Sequence, residues 1–373
     1  MKIVFTGGGS GGHIFPILAI IREIKKNYPD PNIKIYYIGP QDKYGLSLLL
    51  TEGVKIKKIL SGKLRRYFSL KNIFDLLIKI PIGIIQSFFW LFLLAPDLVF
   101  SKAGYGSFPT AFSAKVLGIP IFLHESDAVP GFNSKIQSKW AQEIFISFFN
   151  QKIFPKNKVI CVGNPIRKEI LGGSKEKAKT IFKLQGDKPL ILIRGGSQGS
   201  QEINELVLEI LPDFLQDFEL IHQTGEKNFR KVKIEAEATL SKEKQKYYHP
   251  FPFLNETFLK SALTACNLIV SRAGAGSIFE TAAMAKPAIL IPLASAAQNH
   301  QLENAYAFSE NGGGDVIEQK NLKPHFFLEK IKYLFSRQDI LRNMAEKSLS
   351  FAKPRAAEII ASYLIEYIKA MKK

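Results

Sequence analysis

Two stretches of sequence decide the fold: KIVFTGGGSGG at residues 2–12 and LILIRGGSQGS at residues 190–200. Each is a short run rich in aliphatic residues, followed by a glycine-rich loop and then by a helical pattern. This order is typical of the first strand, phosphate-binding loop and first helix of a Rossmann-like domain. Because the two stretches lie in different halves of the chain, they predict two such domains rather than one large sheet.

Strand-like runs alternate with helical stretches along the whole chain, which predicts an α/β protein with doubly wound parallel sheets. The length, 373 residues, fits two domains that each bury their own core. Turn residues follow a strand at Gly163-Asn164-Pro165, and we place the domain boundary there. The predicted strands are Lys2–Phe5, Ile33–Ile38, Asp97–Ser101, Ile119–Leu123, Glu143–Ile146, Val159–Val162, Leu190–Ile193, Glu219–Gln223, Leu268–Ser271 and Ala288–Pro292.

The last predicted helix, roughly Ala356–Lys372, has an apolar packing face. The residues of that face are Ile359, Ile360, Tyr363, Leu364 and Ile368. The Lys/Glu-rich segment Lys227–Lys246 is expected to be a solvated helix or loop, and no function is assigned to it.

The chain carries 51 Lys and Arg against 33 Asp and Glu, a formal net charge of +18. Most of the excess lies in residues 1–165, which hold 21 basic and 9 acidic residues. This charge predicts an anionic partner: nucleic acid, an anionic membrane or a phosphate-rich substrate. Two cysteines, Cys161 and Cys266, cannot form a disulfide framework or a four-cysteine zinc site. The opening MKIVFTGGG lacks the apolar segment of a cleaved signal, so a reducing cytoplasm is expected.

An apolar stretch, IPIGIIQSFFWLFLLA at residues 80–95, follows a basic window, Lys55–Lys79, with eight basic residues and one acid. Its sixteen residues are fewer than the roughly 20 that a membrane-spanning helix needs, and Pro81 and Pro96 bracket it. One interpretation is a buried helix between two strands. The other is a monotopic patch, whose apolar side chains enter a bilayer while the basic residues bind lipid phosphates.

The first glycine loop opens a helix, so backbone N–H groups and the helix N-terminus can bind an anion there. The loop contains G-x-G-x-x-G, but the acid expected after the second strand is missing, since Ile38-Gly39-Pro40 stands there. A dinucleotide site is therefore weakly supported, and a P-loop is excluded because no Gly-Lys-Ser/Thr follows. His13, directly after the glycines, is a candidate for catalysis or ligand contact, with helix capping as the alternative.

Two later loops repeat the strand–loop–helix pattern. In Gly195-Gly196-Ser197-Gln198-Gly199, the Ser197 hydroxyl could donate to a phosphate oxygen. In SRAGAGS at residues 271–277, the backbone amides of the last three residues would hold a diphosphate. We expect Glu280 in the first turn of the helix that follows, where its carboxylate would accept ribose hydroxyls. The alternative for Glu280 is a carboxylate that only stabilises the helix dipole.

Two polar clusters complete the candidate site. His124-Glu125-Ser126-Asp127 follows a strand, and Gln298-Asn299-His300-Gln301 lies at a helix start. Open α/β sheets bind ligands at the carboxyl ends of their strands, so both clusters are candidates for ligand contact. There is no D-x-D or H-E-x-x-H, so a protein-held catalytic metal is not indicated.

Six motifs in order resemble one enzyme family. They are GGGSGGH, HESD with PG after it, GNPIR, GGSQG, SRAGAGSIFE and NHQLENA, and the resemblance extends from residue 2 to about residue 305. The family is the MurG type of bacterial UDP-N-acetylglucosamine transferase. It implies a GT-B fold, in which two Rossmann-like domains face a cleft. The domains would be residues 1–165, with the C-terminal helix at 353–373 packed on them, and residues 166–352.

The resemblance implies that the N-terminal domain contacts acceptor and membrane and that the C-terminal domain binds UDP-GlcNAc. The reaction would be inverting transfer of GlcNAc to the MurNAc 4-hydroxyl of undecaprenyl-pyrophosphoryl-MurNAc-pentapeptide (lipid I), which gives lipid II for peptidoglycan synthesis. No cofactor would be obligatory, although a divalent cation could assist the diphosphate. Implied partners are the two substrates, the anionic cytoplasmic face of the cell membrane, and wall-synthesis and division proteins, but no nucleic acid.

The family's site residues carry over position by position. We favour His13 as the catalytic base, with Glu125, Asp127 and His124 as further candidates. Asp127 stands where some members carry Asn, and Ser200 replaces a frequent Ala with little expected consequence. The implied donor-binding residues are Ser10, Gly11, Gly12, Asp127, Arg167, Ser197, Leu254, Ala275, Gly276, Ser277, Ile278, Phe279, Glu280 and Gln301.

Three other functions compete with this assignment. The nearest is a GT-B transferase that moves a sugar from a UDP-sugar to diacylglycerol, since it would share the donor loops. A nucleotide-dependent oxidoreductase would use the first glycine loop for a dinucleotide. A nucleic-acid-binding protein would use the net positive charge.

Overall fold

The computed structural model describes residues 1–8, 11–41, 45–62, 70–149, 153–196, 198–294 and 299–372, without the side chains of Leu70 and Lys71. The chain divides into two compact units. Unit 1 comprises Met1–Arg167 and Lys353–Lys373, and unit 2 comprises Lys168–Ala352.

Unit 1 contains one seven-stranded parallel sheet. Its strands are β1 (Lys2–Thr6), β2 (Lys34–Gly39), β3 (Lys55–Lys58), β4 (Leu98–Ser101), β5 (Ile121–Glu125), β6 (Glu143–Ile146) and β7 (Val159–Cys161). They lie in the order β3-β2-β1-β4-β5-β6-β7, and every neighbouring pair is parallel. The first six helices are α1 (Gly11–Asn27), α2 (Gly45–Thr51), α3 (Leu70–Phe74), α4 (Ile80–Leu94), α5 (Phe108–Val116) and α6 (Phe132–Gln137).

Unit 2 contains a six-stranded parallel sheet. Its strands are β8 (Leu190–Arg194), β9 (Glu219–Gln223), β10 (Tyr248–Phe251), β11 (Leu268–Ser271), β12 (Ala288–Leu290) and β13 (Gly314–Val316), in the order β10-β9-β8-β11-β12-β13. Its helices are α7 (Lys175–Phe182), α8 (Gln201–Asp217), α9 (Glu226–Thr239), α10 (Lys242–Gln245), α11 (Glu256–Ala265), α12 (Ala275–Ala283), α13 (His300–Glu310), α14 (Pro324–Ser336) and α15 (Gln338–Phe351). The prediction of two doubly wound α/β domains is confirmed.

Both sheets have a topological switch point beside the first strand of the unit. In unit 1, β1 pairs with β2 on one side and β4 on the other, and in unit 2, β8 pairs with β9 and β11. In such sheets, ligands bind outside the carboxyl ends of the strands that flank the switch point. The loops that follow these four strands are therefore the candidate sites.

The last helix, α16 (Ala356–Met371), returns to unit 1 and packs against α1. Its buried side chains include Ile360, Leu364 and Ile368, as the periodicity predicts, and Tyr363 packs edge-on against the Phe122 ring. Ile359 was wrongly placed on the packing face, because it is 40% exposed. The core therefore needs residues from both ends of the chain.

The apolar stretch forms a longer helix than its prolines indicate. Helices α3 and α4 are continuous through one π-helical turn at Asp75–Lys79, and Asn72–Leu94 is long and apolar enough to span a bilayer by length and composition. The prediction that the segment is too short to span is therefore wrong. The interpretation as a buried helix is also wrong, because only 17% of its most apolar 18-residue window is buried.

One narrow face of α4 is fixed to the body of unit 1. Gly83, Ser87 and Leu91 are buried, and a Cβ on Gly83 would collide with the Leu60 carbonyl oxygen. The Ser113 hydroxyl donates to the Ile84 carbonyl at 3.0 Å. The side of α4 that faces away from this contact is exposed and apolar, with Ile85 and Phe92 each 68% exposed. Helix α4 is thus a surface helix of unit 1 with an apolar outer face.

Candidate functional site

His13 is the third residue of α1 and lies at the switch point of unit 1. Its Nδ1 is 3.1 Å from the backbone carbonyl oxygen of Lys102, the residue after β4. A carbonyl oxygen can only accept a hydrogen bond, so Nδ1 carries the proton of the neutral ring. Nε2 is then the basic nitrogen, which is the arrangement that a general base requires.

Two glycines leave room for the His13 ring. A Cβ on Gly104 would lie 2.8 Å from its Cε1 and 2.9 Å from its Nε2, and a Cβ on Gly8 would lie 3.2 Å from its Cδ2. Gly104 has a φ of +80°, and Ala103 before it has a φ of +53°, so two consecutive residues adopt the left-handed conformation. This turn brings the loop after β4 against the ring.

Lys102 connects the His13 loop to the His124–Asp127 cluster. The side chain of Lys102 is fully buried, and its Nζ donates to the hydroxyl of Ser126. Burial lowers the pKa of Lys102 to about 8, although the nearby charges of Glu125 and Asp127 act in the opposite direction. The sequence analysis missed this residue; the available signal was a lysine directly after the strand Asp97–Ser101.

The Glu125 carboxylate holds the loop that follows β5. Its Oε1 accepts the backbone N–H of Asp127 at 3.0 Å, and its Oε2 accepts that of Gly131 at 3.3 Å. Burial and, after it, the charge of Asp127 raise the pKa of Glu125. Asp127 itself is half-buried. The bonds of Glu125 indicate a role in loop geometry and make it a weaker candidate for the base than His13.

The structure argues against His124 as a base. Its ring has no exposed surface, and its Nε2 donates to the Gly163 carbonyl oxygen at 3.1 Å, which requires a proton on Nε2. Burial, followed by the charge of Lys102, lowers the pKa of His124 well below its usual value. A ring enclosed in this way cannot reach a substrate hydroxyl without a rearrangement of the strand end.

The other candidates in unit 1 lie around the start of α1. Gly11 and Gly12 are its first two residues, and Ser10 lies outside the described residues. Arg167 is buried with its guanidinium 4.1 Å from the centre of the Phe15 ring, a cation–π contact. The structure groups Arg167 with unit 1.

In unit 2, the third glycine loop forms the N-terminus of α12. Gly274 is the N-cap, and Ala275, Gly276 and Ser277 are the first three residues of the helix, whose N–H groups have no partner within the helix. Such amides bind phosphate groups well. Ile278 and Phe279 are buried among core side chains, and the Ile278 N–H already donates to the Gly274 carbonyl at 3.1 Å.

Glu280 is the sixth residue of α12, so the expectation that it lies in the first turn is wrong. The helix begins at Ala275, which moves Glu280 into the second turn and weakens its interpretation as a dipole-stabilising carboxylate. Its Oε2 accepts hydrogen bonds from Nη1 and Nη2 of Arg194, both at 3.2 Å. Arg194 was not singled out by the sequence analysis.

Arg272, the residue after β11, holds several loop segments together. Its guanidinium donates to the Ser200 hydroxyl at 2.7 Å, to Glu202 at 3.0 Å and to the Gln319 side chain at 3.2 Å. It also donates to two backbone carbonyls, those of Ile291 and Pro292. Ser200 is in addition the N-cap of α8, so this departure from the family pattern has a structural role that the sequence analysis did not expect.

The remaining candidates are placed as follows. Gln301 is the second residue of α13, and its Oε1 accepts the Leu293 N–H at 3.0 Å. Leu254 has a core side chain and directly precedes Asn255, the N-cap of α11. Ser197 lies outside the described residues. Among the residues that the structure describes, no group of three His, Cys, Asp or Glu side chains could hold a metal ion.

Comparison with known proteins identifies the family. Residues 3–146 match the glycosyltransferase family 28 N-terminal domain, and residues 190–360 match the family 28 C-terminal domain. The chain is 36% identical to a Clostridium tetani protein over 97% of this chain and 98% of that protein. Its name is UDP-N-acetylglucosamine--N-acetylmuramyl-(pentapeptide) pyrophosphoryl-undecaprenol N-acetylglucosamine transferase. The chain belongs to the MurG-type transferases of glycosyltransferase family 28.

Two further comparisons agree with this family. A Treponema denticola protein of the same name is 34% identical over 97% of this chain and 96% of its own length. The crystal structure of Acinetobacter baumannii MurG superposes with a TM-score of 0.73, with 24% identity, 98% of this chain covered and 99% of that one. The family 28 member described here therefore has the GT-B fold and is a glycosyltransferase, as predicted.

Proposed function

We propose that this chain transfers GlcNAc from UDP-GlcNAc to the 4-hydroxyl of MurNAc in lipid I, giving lipid II. The observation that carries the proposal is the 36% identity, over nearly the whole length of both chains, to a transferase whose name states this donor and acceptor. The site geometry supports it, because each unit carries a loop system at its switch point with chemistry suited to one half of the reaction.

Unit 2 supplies the donor site in this proposal. The N-terminal amides of α12 bind the diphosphate, where the helix dipole and unpaired N–H groups favour negative charge. Glu280 accepts hydrogen bonds from the ribose hydroxyls. The backbone at Leu254 contacts uracil, and Gln301 contacts the hydroxyls of GlcNAc. Ser197 contacts a phosphate oxygen, and Arg167, a residue of unit 1, is a further proposed phosphate contact. Stabilising the departing UDP in this way lowers the barrier to cleavage of the bond between C1 and the diphosphate.

Unit 1 supplies the base. The acceptor 4-hydroxyl attacks C1 of GlcNAc from the face opposite UDP, its proton passes to Nε2 of His13, and UDP leaves with the bonding electron pair. This single displacement inverts the configuration and gives the β-1,4 link. The Nδ1 contact with the Lys102 carbonyl supports His13 in this role, since it fixes the tautomer in which Nε2 accepts a proton.

We further propose that unit 1 associates with the cytoplasmic face of the cell membrane through the apolar outer face of α4. The exposed side chains there include Ile85, Phe89 and Phe92. Basic residues stand beside it: Lys57 lies over the Trp90 ring at 4.0 Å, and Lys55 and Lys58 are exposed on the edge strand β3. Because α4 is fixed to unit 1 along its buried face, the helix would lie in the interface rather than cross the bilayer. Wall-synthesis and division proteins remain proposed partners.

Thermal stabilisation by two UDP-sugars and transfer to two lipid acceptors test the proposed reaction. UDP-GlcNAc should raise the melting temperature of the protein more than UDP-glucose does, since ligands that bind only the folded state stabilise it. Incubation with UDP-GlcNAc and a lipid I analogue should then give the disaccharide product, whereas diacylglycerol should give none. Formation of a glycolipid with diacylglycerol as the only acceptor used would contradict the proposed acceptor. Fluorescence from bound NADH that UDP does not displace would support an oxidoreductase instead.

A further inference from the structure

A buried ion pair crosses the switch point of unit 2. Arg194 is the last residue of β8, and Glu280 lies in α12, the helix that follows the neighbouring strand β11. Nη1 and Nη2 of Arg194 each lie 3.2 Å from Oε2 of Glu280. Their side chains are 9% and 8% exposed. The pair therefore links the strand before the second glycine loop to the helix after the third.

Arg194 is committed to this one carboxylate. Within the described part of the chain, both of its hydrogen bonds end on Glu280. Arg272, the buried arginine on the adjacent strand end, instead bonds five different residues of several loops. Arg272 thus has the contacts of a general structural clamp, whereas the contacts of Arg194 serve a single side chain.

A carboxylate in this place needs such a partner. Burying a carboxylate without a positive charge or hydrogen bonds is strongly unfavourable, so without the arginine the side chain would rotate towards water. Two N–H groups on one oxygen fix the direction of that oxygen. A carboxylate held in one direction is a stronger acceptor for sugar hydroxyls than a mobile one.

We propose that Arg194 is a positioning residue for the donor: it orients the Glu280 carboxylate for hydrogen bonding to the ribose hydroxyls of UDP. This inference rests on the proposed function, in which Glu280 contacts the ribose. Arg194 does not touch the nucleotide itself. It acts through Glu280, so its effect on binding depends on whether the nucleotide has ribose hydroxyls.

The test compares UDP with 2′,3′-dideoxy-UDP as titrants in calorimetry on the full chain. The wild type should bind UDP about 30-fold more tightly than the dideoxy nucleotide, since hydrogen bonds to a charged group contribute that much affinity. In Arg194→Met, UDP affinity should fall about tenfold while dideoxy-UDP affinity changes less than about twofold. In turnover, the KM for UDP-GlcNAc should rise with little change in kcat.

Two variants separate positioning from folding. Arg194→Lys retains a positive charge beside Glu280 and should recover part of the preference for UDP. Arg194→Met combined with Glu280→Gln removes both charges and keeps the side-chain volumes, so it should remain folded if the single variant does not; it should bind the two nucleotides about equally. Arg337→Met is the control, because Arg337 is an exposed arginine of unit 2 that pairs with Asp339.

The outcomes distinguish the inference from the proposed function. If Arg194→Met loses equal affinity for UDP and dideoxy-UDP, or loses affinity for neither, the role of Arg194 is overturned while the wild-type preference for UDP stands. A wild type that binds both nucleotides equally, or binds neither, would instead overturn the assignment of Glu280 and of the donor site. A loss of affinity in Arg194→Met that is confined to UDP supports both the role of Arg194 and the proposed donor site.

Discussion

The imidazole Nδ1 of His13 lies 3.1 Å from the carbonyl oxygen of Lys102, so the loop after β4 determines which ring nitrogen can act as a base. His13 is on α1 and Lys102 is 89 residues further along the chain. The contact depends on the left-handed turn at Ala103 and Gly104, which brings the backbone to the ring.

Replacing Gly104 by Ala should reduce turnover without weakening donor binding. The new Cβ would lie 2.8 Å from Cε1 of His13 and would displace the ring, whereas the loops of unit 2 that we propose bind the donor are untouched. We expect kcat with a lipid I analogue to fall at least about tenfold, and the calorimetric affinity for UDP to stay within about twofold. Gly118→Ala is a matched control, because Gly118 also has a positive φ, +68°, but nothing in the part of the chain that the structure describes lies within 4 Å of the added Cβ. Both variants should lose about 1 kcal/mol of stability, and equal loss of turnover would contradict the positioning of His13 by this loop.

His13→Ala and Glu125→Gln should differ sharply in activity. Loss of a general base lowers kcat by about 10²- to 10⁴-fold, and we expect the His13 variant to fall in that range. Gln at position 125 retains one side-chain oxygen, which can accept one of the two N–H groups of Asp127 and Gly131, and it leaves His13 in place, so its effect should be below about tenfold. Single-turnover rates at saturating UDP-GlcNAc measure this. Near-normal turnover in His13→Ala together with an inactive Glu125→Gln would reverse the order of the two candidates.

Lys102→Met should change how stability depends on pH. The pKa of Lys102 is about 8 in the folded protein and near 10.5 in the unfolded chain. Between these two pH values the unfolded chain binds more protons at this group than the folded protein does. The free energy of unfolding of the wild type therefore rises with pH in this range. The free energy of unfolding of the wild type minus that of the variant should therefore increase from pH 8 to pH 10, by up to about 1.4 kcal/mol per pH unit. Urea unfolding at several pH values measures it, and a difference that stays constant would show that Lys102 is protonated throughout.

His222 should make the protein less stable in acid. It is fully buried beside Tyr248, with Nδ1 2.9 Å from the phenol oxygen, and burial lowers the pKa of His222 to about 3. Below about pH 6.5 the unfolded chain takes up a proton that the folded one does not, so stability falls as pH decreases from 6.5 towards 3. His222→Gln should flatten the decline of the melting temperature over this range. His325→Gln, at an exposed histidine of α14, should leave it unchanged, and identical profiles for all three proteins would exclude this contribution of His222.

Phe92→Ser should weaken binding to anionic vesicles. Phe92 is 68% exposed on α4, and transferring a phenylalanine side chain from water to an apolar phase contributes about 2 kcal/mol. We expect the vesicle partition coefficient, measured by co-sedimentation with phosphatidylglycerol liposomes, to fall about tenfold or more. Leu349→Ser on α15 of unit 2 is the control, since Leu349 is 54% exposed but distant in sequence from the basic window. Equal losses in both variants would argue against α4 as the membrane-binding surface.

The sequence predicted the central strands well and missed three at the edges of the sheets. Strands β6, β9 and β11 have the predicted bounds, because buried parallel strands are continuous apolar or β-branched runs. Strand β3 is KIKK, β10 contains Pro250 and β13 is Gly-Asp-Val. Each of these lies at an edge, where a strand needs only one partner and tolerates charge or proline.

The glycine loops were located from sequence because each follows a recognisable strand and opens a helix. The ion pairs and hydrogen bonds that support them could not be located, since they join residues far apart in the chain. Arg194 and Glu280 are 86 residues apart, and Arg272 and Ser200 are 72 residues apart. The arginine that ends the aliphatic strand LILIR was the available signal for a buried polar partner, and the sequence analysis did not use it.

The return of α16 to unit 1 imposes an order on the folding of the two units during synthesis. Unit 2 has all its residues once Ala352 has been made, whereas the core of unit 1 still lacks Ile360, Leu364 and Ile368. During translation, the half of the protein that begins first is therefore the half that can finish folding last, with the apolar side of α1 uncovered until the final helix emerges. A ribosome that stops near residue 352 would release a complete unit 2 joined to a unit 1 whose apolar core is uncovered.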